Sequence, residues 1–284
     1  MNKKPDDSAL LSFALPPFNL PDAGWGHALA RIGAGKPGRQ SLSEIIADLP
    51  ANACHEIMGE GKGDAASLFG FGVMLGAMLA SRSGGGREGA PCFFVRELRR
   101  GCGMLYPPGL VELGIDPAQC FSVHAPDLLA ALKATADIAR SGAAGAVLLE
   151  VEGNPRLLDL TASRRLALAA EKAGAAVLLL RSGAQESPSA AYSRWQVASA
   201  PSTPLLADAP GGPAFDIALL RHRRLAAGRT ARLTWNPEEQ KFDEQTVASP
   251  RQDGPQREAG KAAFGSALSL VARRTADKAT RRAA

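Results

Sequence analysis

One segment sets the architecture of this chain: Cys54-His-Glu-Ile-Met-Gly-Glu-Gly-Lys-Gly-Asp-Ala-Ala-Ser67. Its first five residues predict a strand, the glycines that follow predict a turn, and the apolar run from about Ala65 to Ala80 predicts a long helix. A strand, a glycine-rich turn and a helix form the layout of a phosphate-binding loop, in which backbone N–H groups surround phosphate oxygens.

This turn departs from the ATPase form of the motif. The pattern G-x-x-x-x-G-K-[ST], started at Gly59, requires glycine at 64, lysine at 65 and serine or threonine at 66. The chain has Asp64, Ala65 and Ala66 there, so a carboxylate replaces the group that would balance phosphate charge. We therefore predict no bound ATP, no ATPase activity, and a degenerate phosphate loop made of Gly59, Gly61, Lys62, Gly63 and Asp64. An ATPase that uses Lys62 from within the turn stays open as an alternative.

The central sequence alternates apolar runs with helical patterns. Further strands are predicted at 92–95, 120–124, 146–151 and 175–180, and helices at 127–140 and 161–173. Strands separated by helices at this spacing indicate right-handed crossovers and a mostly parallel sheet. Three later strands, at 194–198, 215–220 and 229–235, have no helices between them. We expect them to extend one sheet edge as antiparallel strands, which completes an α/β fold class.

Composition and charge divide the chain into four parts. We predict an N-terminal arm at 1–40, an α/β domain at 41–236, a disordered linker at 237–260 and a basic helical tail at 261–284. Ser41 and Glu44 form a capping-box pattern that begins the first helix of the domain. The 284 residues are 45% hydrophobic, which is ample for a core, and the net charge is +5.

The excess positive charge lies in the last 34 residues, where eight basic residues face three acidic ones. Attraction to an acidic partner and a solvated solubility tail are equally open interpretations. If the tail is a helix, Phe264, Leu268 and Val271 form an apolar stripe for a partner groove. Its candidate contact residues are Phe264, Leu268, Arg273, Arg274, Arg281 and Arg282.

Other catalytic and targeting signals are weak. The four cysteines, Cys54, Cys92, Cys102 and Cys120, form no C-x-x-C pair, which indicates reduced thiols in a cytoplasmic protein and no metal site. Glu150 and Glu97 follow strands where a magnesium-orienting carboxylate and a water-activating base could lie. The favoured interpretation of Glu150 is a carboxylate at a strand end, and that of Glu97 is an ion pair with Arg96, Arg99 or Arg100. The apolar stretch 65–81 is short for a bilayer, so we expect a buried helix and no membrane contact.

Two loops at the carboxyl ends of predicted strands, 152–160 and 181–194, are candidate binding surfaces. Their candidate contact residues for nucleic acid or a partner are Arg156, Arg181, Tyr192 and Arg194. Arginines at 221–232 add positive charge, which favours a groove for a nucleic-acid backbone. Arginine alternating with leucine is also typical of a solvent-facing strand, and both interpretations stay open.

The order of these pieces resembles the core of RecA. That resemblance rests on Cys54-His-Glu-Ile-Met-Gly59, Cys92-Phe-Phe-Val95, Leu110-Val-Glu-Leu-Gly-Ile-Asp116, Cys120-Phe-Ser-Val-His124 and Val147-Leu-Leu-Glu150. A second set of segments is similar to the ImuA family of damage-inducible mutagenesis proteins: Leu157-Leu-Asp-Leu-Thr-Ala-Ser-Arg-Arg-Leu-Ala-Leu-Ala-Ala170, Pro188-Ser-Ala-Ala191, Arg194-Trp-Gln-Val197 and Pro201-Ser202. The resemblance spans about residues 40 to 236.

The ImuA resemblance implies a non-catalytic, RecA-like accessory protein of SOS-induced translesion synthesis, working in the cytoplasm through protein contacts. The implied partners are ImuB, which is an inactive relative of Y-family polymerases, together with RecA and an error-prone C-family polymerase. It also implies single-stranded DNA contact through 181–194, a partner-binding tail from Lys261, and self-association. A RecA-like ATPase, a single-stranded DNA-binding repair protein and an SOS cell-division inhibitor stay open as alternatives.

Overall fold

The computed structural model of the chain describes residues 40–59, 64–83, 89–98, 103–206, 209 and 211–245. The predicted N-terminal arm up to residue 39, Cys102 and the turn residues Gly61, Lys62 and Gly63 lie outside these ranges. The chain from 246 onward also lies outside them, with the predicted tail helix and its contact residues Phe264, Leu268, Arg273, Arg274, Arg281 and Arg282.

The described residues form one nine-stranded sheet, in the order β3-β2-β4-β5-β1-β6-β7-β8-β9. The strands are β1 (Cys54–Gly59), β2 (Cys92–Glu97), β3 (Cys120–Ala125), β4 (Ala146–Glu152), β5 (Ala176–Ser182), β6 (Ser193–Ser199), β7 (Ala214–His222), β8 (Arg229–Asn236) and β9 (Lys241–Gln245). The first six run parallel, and the last three are antiparallel to their neighbours. The predicted α/β class is confirmed: a mostly parallel sheet, flanked by helices, with antiparallel strands at one edge.

Five α-helices and a short 3-10 helix (Pro117–Gln119) accompany the sheet in the described part of the chain. The α-helices are α1 (Leu42–Ala47), α2 (Ala65–Arg82), α3 (Pro107–Glu112), α4 (Leu128–Arg140) and α5 (Leu160–Ala173). The predicted capping box at α1 is confirmed, because the Ser41 side chain accepts the Glu44 N–H while the Glu44 carboxylate accepts the Ser41 N–H. One face of the sheet packs on α1 and α2, and the other packs on α4 and α5.

Helix α2 lies very close to the sheet. A Cβ atom added at Gly72 would be 2.6 Å from Leu180, and one at Gly76 would be 2.8 Å from Leu148. These two glycines therefore permit the close helix–sheet contact. By length and composition α2 could cross a membrane, but 56% of that window is buried inside the protein, as predicted for a core helix.

The position of β6 differs from the prediction, because β6 pairs in parallel with β1 and antiparallel only with β7. The sequence shows no helical pattern between β5 and β6, and this predicts that β6 is antiparallel to its neighbours. The segment 183–192 instead runs back along the sheet without forming a helix. Ten residues can span about 33 Å, which exceeds the length of a seven-residue strand.

The predicted linker is wrong in its first part, because 237–245 form a turn and strand β9 rather than a disordered segment. Phe242 is buried and its ring contacts the rings of Phe71, Phe215 and Trp235. The sequence did not predict this strand, because Phe242 is its single apolar residue and the residues around it are charged or polar. The domain therefore extends to Gln245, nine residues beyond the predicted boundary.

Candidate functional site

The amino end of α2 is where a phosphate-binding loop would hold its anion. Asp64 stands at this end, and its carboxylate makes no capping hydrogen bond to the helix. Its Oδ1 instead accepts hydrogen bonds from the backbone N–H and the hydroxyl of Ser199, each at 3.3 Å. Ser199 is the last residue of β6. Strand β6, next to β1, therefore holds a negative charge at the amino end of α2. In a phosphate-binding loop, this end of the helix attracts an anion.

The two residues after Asp64 are alanines, so their side chains offer neither a cation for phosphate nor a hydroxyl for magnesium. Residues 64–66 therefore do not fit a nucleotide triphosphate. We accordingly derive no step that depends on bound ATP.

Glu150, near the end of β4, forms an ion pair with Arg96 of β2, with Nη2 2.5 Å from Oε2. Arg96 also donates to the Gly103 carbonyl and lies 5.6 Å from the centre of the Phe69 ring. Glu150 is therefore a paired carboxylate near the end of its strand, and Arg96, a predicted partner of Glu97, pairs with Glu150. A cavity of about 380 Å³ lies beside this pair. Within the described residues, no cluster of three or more His, Cys, Asp or Glu is placed to hold a metal ion.

A buried charge cluster lies at the centre of the sheet, around Glu56 in β1. Oε1 of Glu56 accepts from Nη1 of Arg181 at 2.7 Å, and Oε2 accepts from Nε of Arg194 and Oγ of Ser189, both at 2.8 Å. Glu56 is 0% exposed, Arg181 2% and Arg194 6%. Burial raises the pKa of Glu56, but the hydrogen bonds and positive charges of the two arginines outweigh burial and hold this pKa below its usual value.

The two arginines extend this cluster into the neighbouring loops. Arg181 also donates to the Gly153 carbonyl and to the side chain of Asn154, and Arg194 donates to the Ser187 carbonyl. Nε of Arg181 is buried and has no hydrogen-bond partner. The charge cluster therefore fixes the loops after β4 and β5 onto the sheet.

The prediction that Arg181 and Arg194 contact nucleic acid is therefore wrong. Both guanidinium groups are buried against Glu56, and a phosphate could reach them only if this cluster separated. The prediction failed because Glu56 lies 125 positions before Arg181, so that no local pattern joins the two residues.

The other two predicted contact residues lie apart from each other. Arg156 is exposed just after β4, at the carboxyl ends of the parallel strands, whereas Tyr192 is half-buried beside the amino end of β1. The Arg223 guanidinium lies 5.4 Å from the Tyr192 ring centre, and the rings of His55 and His222 approach its edges. The four predicted residues thus form no single surface.

His55 is of a residue type common in catalytic sites, but burial and hydrogen bonding explain its position in this structure. It is fully buried, and burial lowers its pKa to about 4. Its Nε2–H donates to the Pro50 carbonyl, which can only accept, so Nδ1 accepts from the Ser193 hydroxyl. The Ser193 oxygen in turn accepts from the Trp195 indole N–H. A neutral histidine therefore completes this chain of hydrogen bonds.

The three described cysteines are free thiols. Burial raises the pKa of Cys54 and of Cys92 to about 12, so both remain protonated at neutral pH. Glu56 and His55 are the residues that sequence reasoning missed. A glutamate inside an apolar strand, with arginines at the ends of later strands, is the signal that could have indicated a buried pair.

No family model matches the chain. Protein ImuA of Caulobacter vibrioides strain NA1000 / CB15N is 34% identical over 177 residues, which cover 58% of this chain and 67% of that protein. Protein ImuA of strain ATCC 19089 / CIP 103742 / CB 15 gives the same values. The crystal structure of the RadB recombinase aligns with a TM-score of 0.46 at 11% identity, covering 72% of this chain and 96% of that one. By its similarity to the two curated proteins, the chain belongs to the ImuA family.

Proposed function

We propose that this chain is a non-catalytic, RecA-like accessory protein of SOS-induced translesion synthesis that acts through protein contacts in the cytoplasm. The observation that carries the proposal is Asp64, whose carboxylate is held by Ser199 at the amino end of α2. A protein that turned over nucleotide would need a cation or a hydroxyl at this position or at the two residues after it.

The size of the electrostatic effect supports a function without nucleotide turnover. Two unit charges about 4 Å apart interact by roughly 4 kcal/mol at an effective dielectric constant of about 20. The Asp64 carboxylate would repel a phosphate at the amino end of α2 with an energy of that order. Glu150, the candidate magnesium-orienting carboxylate, is already paired with Arg96.

The proposed partners are an ImuB-like polymerase homologue, RecA and an error-prone C-family polymerase. The basic tail from Lys261 is the proposed docking segment, because its charge and the spacing of Phe264, Leu268 and Val271 suit an amphipathic helix. Self-association and DNA contact through exposed basic residues such as Arg156 belong to the same proposal.

The first test is a titration of the full chain with labelled ATP and magnesium. We expect no saturable binding up to millimolar nucleotide, and the same result for Lys62→Ala. Tight, magnesium-dependent binding that Lys62→Ala removes would overturn the proposal, and release of phosphate from the bound ATP would then establish the ATPase alternative.

The second test removes the chain after residue 250, which leaves the compact unit Met1–Gln245 intact. Pull-down of the ImuB-like polymerase homologue should be lost, while the circular dichroism spectrum should retain the α/β signature of the domain. Retained pull-down by the shortened chain would refute the role of the tail.

A further inference from the structure

The solvent-facing side of α5 carries leucines that the core does not use. Leu160 is 47% exposed and Leu168, two turns later, is 51% exposed. Leu157, just before the helix, is 52% exposed. The core contacts of α5 come instead from its opposite side, through Ser163, Leu166, Ala169 and Ala170. The helix is therefore apolar on both sides, although only one of them is covered by the sheet.

Basic side chains surround these leucines. Arg156, Arg164, Arg165 and Lys172 are exposed, against the exposed acidic residues Asp159 and Glu171. The Asp159 carboxylate accepts the Ala162 N–H as the helix cap and keeps its charge, so the four basic residues of 156–172 exceed the two acidic ones by two. Arg164 lies one turn after Leu160 and one turn before Leu168, so the α5 outer face, defined by Leu157, Leu160, Arg164, Arg165 and Leu168, alternates leucines with arginines.

We infer that the α5 outer face is a docking surface for an acidic amphipathic helix of a partner protein. Leucines of the partner would cover Leu160 and Leu168, and its carboxylates would meet Arg156 and Arg165. The inference rests on the proposed function, since a protein that acts through contacts needs defined surfaces, and it adds a surface on the folded domain to the tail.

The chemistry of this face favours an acidic protein helix over the other two occupants. Binding of single-stranded nucleic acid usually involves aromatic rings for base stacking, and residues 157–172 contain none. A two-fold contact whose axis passes near the middle of α5 would bring Arg164 and Arg165 of one copy close to the same residues of the other. That arrangement is repulsive, whereas an acidic helix neutralises the same charges.

The test uses the full chain and three labelled helical peptides of about 20 residues, with binding measured by fluorescence anisotropy. The first peptide has leucines at i, i+4 and i+7 with flanking glutamates. The second keeps the leucines but has lysines for the glutamates, and the third keeps the glutamates but has serines for the leucines. We expect saturable binding of the first peptide only, weakened by added salt.

Two variants, one with a pair of leucine substitutions and one with an arginine substitution, locate the site. Because each leucine is about half exposed, covering the rest is worth roughly fivefold in Kd, so Leu160→Ser with Leu168→Ser should weaken binding ~20-fold. Arg165→Glu should weaken it further and shift preference toward the lysine peptide. Leu206→Ser is the matched control, because Leu206 is 95% exposed and lies outside α5. This control should bind the first peptide as the unchanged chain does.

Several results would overturn the inference: no binding of the first peptide, equal binding of the lysine peptide, or an equal loss in Leu206→Ser. A labelled oligothymidine that binds more weakly to the α5 variants, without the peptide doing so, would assign the face to nucleic acid instead. A mass in sedimentation that falls in the α5 variants would assign it to self-association. The ATP titration and the tail pull-down do not depend on α5, so each of these outcomes is separable from failure of the proposed function.

Discussion

Replacement of Glu56 by leucine should destabilise the domain severely, although the substitution puts an apolar side chain into a buried position. It leaves the guanidinium groups of Arg181 and Arg194 with no anion, at 2% and 6% exposure. Removal of one partner from a buried charge pair costs about 3–5 kcal/mol. A domain of this size loses roughly 2–4 °C in Tm per kcal/mol, so Tm should fall by about 10 °C.

The assays are thermal unfolding, which gives Tm, and urea unfolding, which gives the free energy of unfolding. Both use the full chain and follow tryptophan fluorescence, with Trp195 and Trp235 buried in the domain. Glu150→Gln is the matched control, because it breaks a partly exposed pair with Arg96 and should cost less than about 1 kcal/mol. A triple variant, Glu56→Leu with Arg181→Met and Arg194→Met, removes all three charges and should recover most of the loss.

The pH dependence gives a second measurement of the same cluster. The pKa of Glu56 is lower in the folded chain than in the unfolded chain, so its stabilising contribution is fully present above the usual carboxyl pKa of about 4.5. That contribution is lost as pH falls through the folded pKa. Two results would refute a stabilising role for the charge cluster. One is a free energy of unfolding for Glu56→Leu within about 1 kcal/mol of that for Glu150→Gln, and the other is a triple variant that is no more stable than Glu56→Leu.

Three other perturbations follow from the packing. Burial lowers the pKa of His55 to about 4, so the free energy of unfolding should fall by about 3 kcal/mol as pH drops from 6.5 to 4. In His55→Gln the urea midpoint should depend less on pH over that range. An unchanged pH dependence in this variant would contradict a buried, neutral His55. Phe242→Ala should cost about 3–5 kcal/mol by urea unfolding, whereas no loss would mean that β9 is not part of the core. Gly72→Val should lower the free energy of unfolding by about 1–3 kcal/mol, because the new side chain would overlap Leu180. Gly70→Val has more room and should lower it less in the same urea unfolding experiment.

The central parallel strands could be predicted from sequence because each is an unbroken apolar run. Val147–Leu149 and Val177–Leu180 are covered on both sides, and burial of that kind leaves a composition signal. Strand β9 left no such signal, because only Phe242 of its five residues enters the core. The parallel direction of β6 was equally hidden, since pairing direction depends on where segment 183–192 runs and not on residue types.

The candidate site divides in the same way. The displacement of phosphate-binding residues by Asp64 is visible in the sequence, because the motif has fixed spacing. The partner that holds Asp64, Ser199, lies 135 positions away and is visible only in the structure. The burial of Arg181 and Arg194 also depends on a distant residue, so exposed and buried arginines could not be told apart from composition.

The charge cluster has a consequence for motion in the domain. Segment 183–192 covers the sheet where a crossover helix would ordinarily lie, and it is held by Arg181, Arg194 and Arg221, which donate to Ser187, Ser189 and Ala191. To lift this segment, these arginine hydrogen bonds and the bond from Ser189 to Glu56 must break, while the pairs of Glu56 with Arg181 and Arg194 can persist between the strands. Segment 183–192 is therefore held to the sheet by hydrogen bonds from three arginines of strands β5, β6 and β7, two of which also pair with buried Glu56, so substitutions at Glu56 should loosen the segment as well as destabilise the domain.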